Sequence, residues 1–204
     1  MNSTNEKRIL SAVAILLFCA LFMMAIPTEA EAMIYEDTLR LHILANSDSD
    51  EDQALKLIIR DKILEKYTDR LKDCGSIIEA ERITESLLSD IEADAKGWVQ
   101  ELGYYYSVTA TLTREWYDTR EYDNFTLPRG YYDSLQVIIG SGSGKNWWCV
   151  MYPPLCMDIA TERVPTDDAT LKYTKEELVL ISGKKYNLKF KILEIVADAF
   201  AKNG

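Results

Sequence analysis

From Ser76 to Leu102 apolar residues recur every three or four positions, and from Tyr104 the recurrence drops abruptly to two. The first stretch runs Ile77, Ala80, Ile83, Leu87, Leu88, Ile91, Ala95, Trp98 and Leu102, opened by the capping pair Ser76 and Glu79 and closed by Gly103. The second sets Tyr106, Val108, Ala110 and Leu112 against Tyr105, Ser107, Thr109 and Thr111, the alternation of a strand with one face buried. A long amphipathic helix running straight into a strand cannot belong to an all-helical bundle or an all-β sandwich. The chain has to pair helices with a sheet.

The other elements read the same way. Leu39, Leu41, Ile43 and Ala45 alternate with Thr38, Arg40, His42 and Leu44, which predicts a half-buried strand. The turn 46–52 follows, with Asp48 as N-cap and Glu51 completing a capping box, and then a helix to about Arg70 with Leu55, Ile58, Ile59, Ile63 and Tyr67 on one stripe. The runs 135–139 and 146–152 bracket Gly140-Ser141-Gly142-Ser143-Gly144-Lys145 and read as a hairpin, after a polar and aromatic loop reaching Asp133. Residues 160–174 form a polar surface loop, Thr174 and Glu177 cap a short helix ending at Gly183, and Leu188, Ile192, Ile195, Val196, Ala199 and Phe200 stripe a C-terminal helix. The expectation is one α+β domain with a mixed sheet of about four strands, two long amphipathic helices and a C-terminal helix.

Residues 1–32 differ from the rest. Lys7 and Arg8 precede an uncharged apolar run from Ile9 to Ile26, followed by Pro27 and Thr28-Glu29-Ala30-Glu31-Ala32. A cationic end, a segment able to enter the translocon and a small-residue site make a secretory signal, with cleavage after Ala32; an uncleaved N-terminal anchor is the second reading. Residues 33–204 are then the folded domain, outside the cytoplasm. Three cysteines remain in it. A bridge between Cys149 and Cys156 would close a short loop worth about 2.5 kcal/mol, with two buried thiols as the alternative.

Little of the sequence points to catalysis. His42 is the one histidine, so zinc has no second imidazole and a hydrolase triad would have to be built on that ring, with no nucleophile elbow around any serine. The run from Asp48 to Asp52 resembles a calcium loop, but Gln53 stands where glycine is needed and Ile59 where a bidentate glutamate is needed. Gly140 to Lys145 is too short for a phosphate loop and links strands. No cofactor or metal is expected. The net charge of −10, from 23 basic and 33 acidic residues, argues against nucleic acid or an anionic lipid surface as partner. Aromatic residues cluster between 104 and 152, and the adjacent Trp147 and Trp148 must point to opposite faces of a strand, so one of them is covered by another element or offered to a partner.

Two stretches, Arg40-Leu41-His42-Ile43-Leu44-Ala45-Asn46-Ser47-Asp48-Ser49 with the helix through Arg60-Asp61, and Asn146-Trp147-Trp148-Cys149-Val150-Met151-Tyr152-Pro153-Pro154-Leu155-Cys156, resemble the stage II sporulation protein R family. The resemblance implies a signalling protein of endospore formation, secreted from the forespore into the space facing the mother cell. Its implied partner is a membrane-embedded aspartic protease that processes pro-sigma-E, with the membrane reached only through that partner or an uncleaved leader. Arg40, His42, Asn46, Trp147, Trp148, Pro153 and Pro154 lie in the matching strings and are the candidate partner contacts. A secreted cell-wall or protein hydrolase is the alternative of another class, and a purely structural envelope protein a third.

Overall fold

A computed structural model describes residues 3–25, 29–122 and 125–153, together with the single positions Tyr173, Glu177 and Ile181. Helices α1 (Ser3–Ala25) and α2 (Glu29–Glu36) precede strand β1 (Leu39–Leu44), helix α3 (Asp50–Tyr67) and helix α4 (Ile77–Glu101). Strands β2 (Val108–Tyr117), β3 (Arg120–Glu121), β4 (Thr126–Leu127), β5 (Gly130–Ile139) and β6 (Asn146–Tyr152) follow. The fold is α+β, with a four-stranded mixed sheet ordered β2-β5-β1-β6. Among the described residues no helix is long and apolar enough to cross a membrane. Ala32, the expected cleavage position, lies within α2, and two residues later Ile34 is fully buried. The expected loop 160–174 and the C-terminal helix lie outside the described residues, apart from Tyr173 in the loop.

The hairpin expected across Gly140–Lys145 is not there. β1 is inserted between β5 and β6, parallel to the first and antiparallel to the second. Neighbouring strands lie about 4.8 Å apart, so the connection must bridge two such spacings, and the six-residue loop does so by folding over the end of β1. There the Gly144 amide donates to the Ala45 carbonyl at 2.9 Å. A central position also explains why β1 is not half-buried as its alternation suggested: Leu39 through Ile43 are all buried. Leu41 and Ile43 join the core beneath α3 and α4, while Arg40 and His42 are covered on the opposite face. The region read as a loop before Asp133 instead extends β2 to Tyr117, adds the β3–β4 ribbon and starts β5 at Gly130.

Both helix starts carry side-chain caps. Ser76 Oγ accepts from the Glu79 amide at 3.3 Å, and the Glu79 carboxylate reaches back to the Gly75 amide at 2.9 Å. At α3 the cap is Ser49, one residue later than expected, accepting from the Asp52 amide at 3.2 Å. Asp48 is drawn away because its carboxylate accepts the Lys145 amide at 2.7 Å. Asn46 completes this clamp on the glycine loop. Its Oδ1 accepts the Ser141 amide at 3.0 Å, its carbonyl accepts both Ser141 Oγ and Ser143 Oγ, and its Nδ2 donates to Asp52 at 2.9 Å.

Asp52 is the anchor of the clamp, buried and accepting from Asn46 and Ser47. Burial alone would raise its carboxyl pKa, but the hydrogen bonds from Ser47, Asn46 and Tyr106 outweigh it and hold the group below the ordinary carboxylate range. A lowered folded pKa means that the stabilisation is present above the unfolded value of about 4 and is lost as pH falls through the folded one. Asp52→Ala is expected to remove about 3 kcal/mol at pH 7, because three donors lose their acceptor. The difference between variant and wild type in urea unfolding should shrink below pH 4; a difference unchanged at pH 3 would contradict this role.

Candidate functional site

The face of the sheet opposite α3 and α4 carries Arg40 and His42 of β1, Glu115 and Tyr117 of β2, Tyr132, Ser134 and Gln136 of β5, and Trp148 of β6, brought level by the strand register. Its lower half is closed. Arg40 is fully buried, with its guanidinium carbon 4.0 Å from the ring centre of Tyr117 and 5.0 Å from that of Tyr132. Arg40 Nη2 donates to the Tyr122 hydroxyl at 2.9 Å, while Nε and Nη1 have no hydrogen-bond partner among the described residues. A buried cation held chiefly by tyrosine rings is a structural post. Burial pushes the Tyr117 and Tyr132 phenols well above their usual range, although Arg40 pulls both the other way.

The upper half is more open. His42 Nδ1 lies 2.6 Å from Glu115 Oε2, and Glu115 also accepts from Gln136 Nε2 and the Tyr117 hydroxyl. A carboxylate only accepts, so Nδ1 carries the ring proton, and the buried Nε2 has no hydrogen-bond partner among the described residues. The imidazole stacks on Trp148, with centroids 5.7 Å apart and planes 26° from parallel. The Arg120 guanidinium sits 3.8 Å from the centre of the same indole. Trp148, half-buried, is thus a platform gripped by a histidine and an arginine, with Thr109 and Thr111 exposed beyond it on β2.

Chemically this is a rigid aromatic and cationic surface. His42 is oriented by a carboxylate as a general base would be, and among the described residues its Nε2 has no hydrogen-bond partner. Among the described residues no group of three or more histidine, cysteine, aspartate or glutamate side chains could hold a metal ion.

The structure separates the sequence candidates. Arg40, His42 and Trp148 come together on this face. Trp147 points the other way, half-buried under α3 with the Arg60 guanidinium 4.3 Å from its ring centre. Asn46 is held in the loop clamp, and Pro153 is buried after a cis Tyr152–Pro153 bond. Cys149 is buried and disulfide-bonded. Pro154 and Cys156 lie outside the described residues. Glu115, Arg120 and Gln136, which complete the face, carry no sequence signal because they reach His42 or Trp148 only through folding.

Fold and register together define an α+β domain whose sheet carries a stacked histidine–tryptophan pair on the face opposite its two long helices. The family model described as stage II sporulation protein R matches residues 35–162. The stage II sporulation protein R of Bacillus subtilis (strain 168) is 34% identical over 188 residues, covering 83% of this chain and 84% of that protein. The chain belongs to the stage II sporulation protein R family, and is thereby a sporulation protein. No solved structure matches it.

Proposed function

We propose that this chain is a secreted intercellular signal of endospore formation, which binds a membrane-embedded aspartic protease in the mother-cell membrane and triggers pro-sigma-E processing. Family membership carries the reading, because the match over residues 35–162 spans every residue of the His42–Trp148 face. The N-terminal layout supports export from the forespore into the intermembrane space. The site supports a binding role: a stacked indole flanked by a guanidinium is the kind of anchor that dominates protein interfaces. The domain works by preferring the protease's competent state, since a ligand shifts an equilibrium only by its differential affinity for the two states.

Binding of the purified chain to the detergent-solubilised protease tests this. His42→Ala discriminates it from a secreted hydrolase: a recognition residue lost costs about tenfold in affinity, whereas a histidine-dependent enzyme loses several orders of magnitude in rate. Failure of the folded chain to bind, or hydrolytic activity abolished by His42→Ala, would overturn the reading. The bridge proposed between Cys149 and Cys156 is checked by intact mass with and without thiol alkylation.

A further inference from the structure

The chain enters β1 through Asp37 and Thr38, and residues from far along the sequence close over that entrance. Tyr173, Glu177 and Ile181 are spaced by four, the period that aligns side chains along a helix, and the last two are helical. All three are buried, Glu177 completely, and Tyr173 and Ile181 join the hydrophobic core. The Tyr173 hydroxyl and Thr38 Oγ1 are hydrogen-bonded at 2.8 Å. Thr38 lies on the same side of β1 as Arg40, and the Tyr173 phenol sits close enough to Arg40 to feel its charge. These residues therefore help to close the lower half of the sheet face opposite α3 and α4.

Four residues beyond Tyr173 comes an acid. The Glu177 carboxyl is hydrogen-bonded to that of Asp37, itself half-buried. A carboxylate only accepts, so this bond exists only while one of the two groups carries a proton. Burial does most to raise the Asp37 pKa, the charge and hydrogen bond of Glu177 raise it further, and Glu36 on α2 adds a third negative charge. From the other elements packed there, Arg40 on β1, Tyr152 on β6 and Tyr173 face the pair. The Arg40 guanidinium is bonded to Tyr122 and to neither acid.

We infer that Asp37 and Glu177 form a proton-dependent latch, which fastens the segment carrying Tyr173, Glu177 and Ile181 to the start of β1 while the pair holds a proton and releases it when both carboxyls are ionised. The closed pair binds its proton more tightly than the open one. The latch is thus fully fastened below the open-state value of about 4 and loosens as pH rises through the raised closed-state value. Above that value two like charges in contact oppose the Thr38–Tyr173 bond and the burial of Ile181. One proton is released on opening, so the closed-to-open ratio falls by at most about tenfold per pH unit. The latch uses neither His42 nor Trp148 and needs no protease, so it goes beyond the proposed function.

Hydrogen exchange of the full chain between pH 4.5 and 8 tests this, read by mass spectrometry as protection factors, which remove the intrinsic pH dependence of exchange. In the wild type, protection of peptides covering 173–181 is expected at pH 4.5 and to fall as pH rises, by up to about tenfold per unit, while peptides of β5 stay protected. Asp37→Asn and Glu177→Gln each supply an amide donor across the pair and remove one charge, and each is expected to keep residues 173–181 protected across the whole range. Wild-type protection that does not change with pH would overturn the inference, as would the same pH dependence in both amide variants. Loss of β5 protection in step with 173–181 would overturn it too, because the change would then be global unfolding. Protease binding does not enter these readings, so the latch and the proposed function fail separately.

Discussion

Trp148→Ala is expected to reduce protease binding by about 30-fold or more, the loss of about 2–3 kcal/mol that follows truncation of an aromatic interface anchor. The indole is the surface on which His42 and Arg120 both rest, so its removal frees the imidazole and the guanidinium together. Trp148→Phe keeps a stacking face and should recover most of the affinity. Arg40→Ala is the contrast, because Arg40 is fully buried between Tyr117 and Tyr132. It should lower the unfolding midpoint, and affinity should fall only in proportion to the folded fraction. Binding titrations set beside urea unfolding of both variants separate the two effects. A Trp148→Ala domain that binds normally would remove the proposed face from the interface.

Gly140→Ala is expected to destabilise the domain by about 3 kcal/mol, a fall of about 9 °C in Tm. Gly140 has φ +62°, where a side chain is strained, and a Cβ there would lie 2.3 Å from Asn46 Oδ1. The alanine methyl must push Asn46 out of the clamp, so the hydrogen bonds to Ser141 and Asp52 are lost together. Asn46→Ala should remove much of the same energy, and the double variant should cost clearly less than the sum of the single ones. Calorimetry of the three variants checks this. Additive costs would show that loop and clamp are independent.

What the sequence disclosed and what it withheld divide by distance along the chain. The Ser76–Glu79 cap and the switch of period near Tyr104 are local; the cap is present as read, and the strand after the switch starts at Val108, four residues beyond Tyr104. The insertion of β1 between β5 and β6 is not local: two apolar runs joined by a glycine loop look the same whether they pair directly or receive a third strand between them. Arg40 and His42 made β1 look half-solvated, because nothing nearby in sequence announces that Tyr117, Tyr132 and Trp148 cover them. The resembling strings held both kinds of residue. Asn46 and Asp48 clamp the glycine loop, while His42 and Trp148 stack on the face of the sheet opposite α3 and α4. Glu115, 73 residues from His42, could not be matched to it without the register of β2 on β5 and of β5 on β1.

The central claim, an extracytoplasmic activating ligand, is tested most directly by co-expressing this chain with the membrane protease and its pro-sigma-E substrate in a host without sporulation genes. Processing is scored for full length, for a form lacking residues 1–32 and for Trp148→Ala. The account predicts processing with the full-length chain, none with the leaderless form retained in the cytoplasm, and little with folded, exported Trp148→Ala. Unprocessed substrate in the presence of exported, folded wild-type chain, or equal processing without the leader, would contradict it.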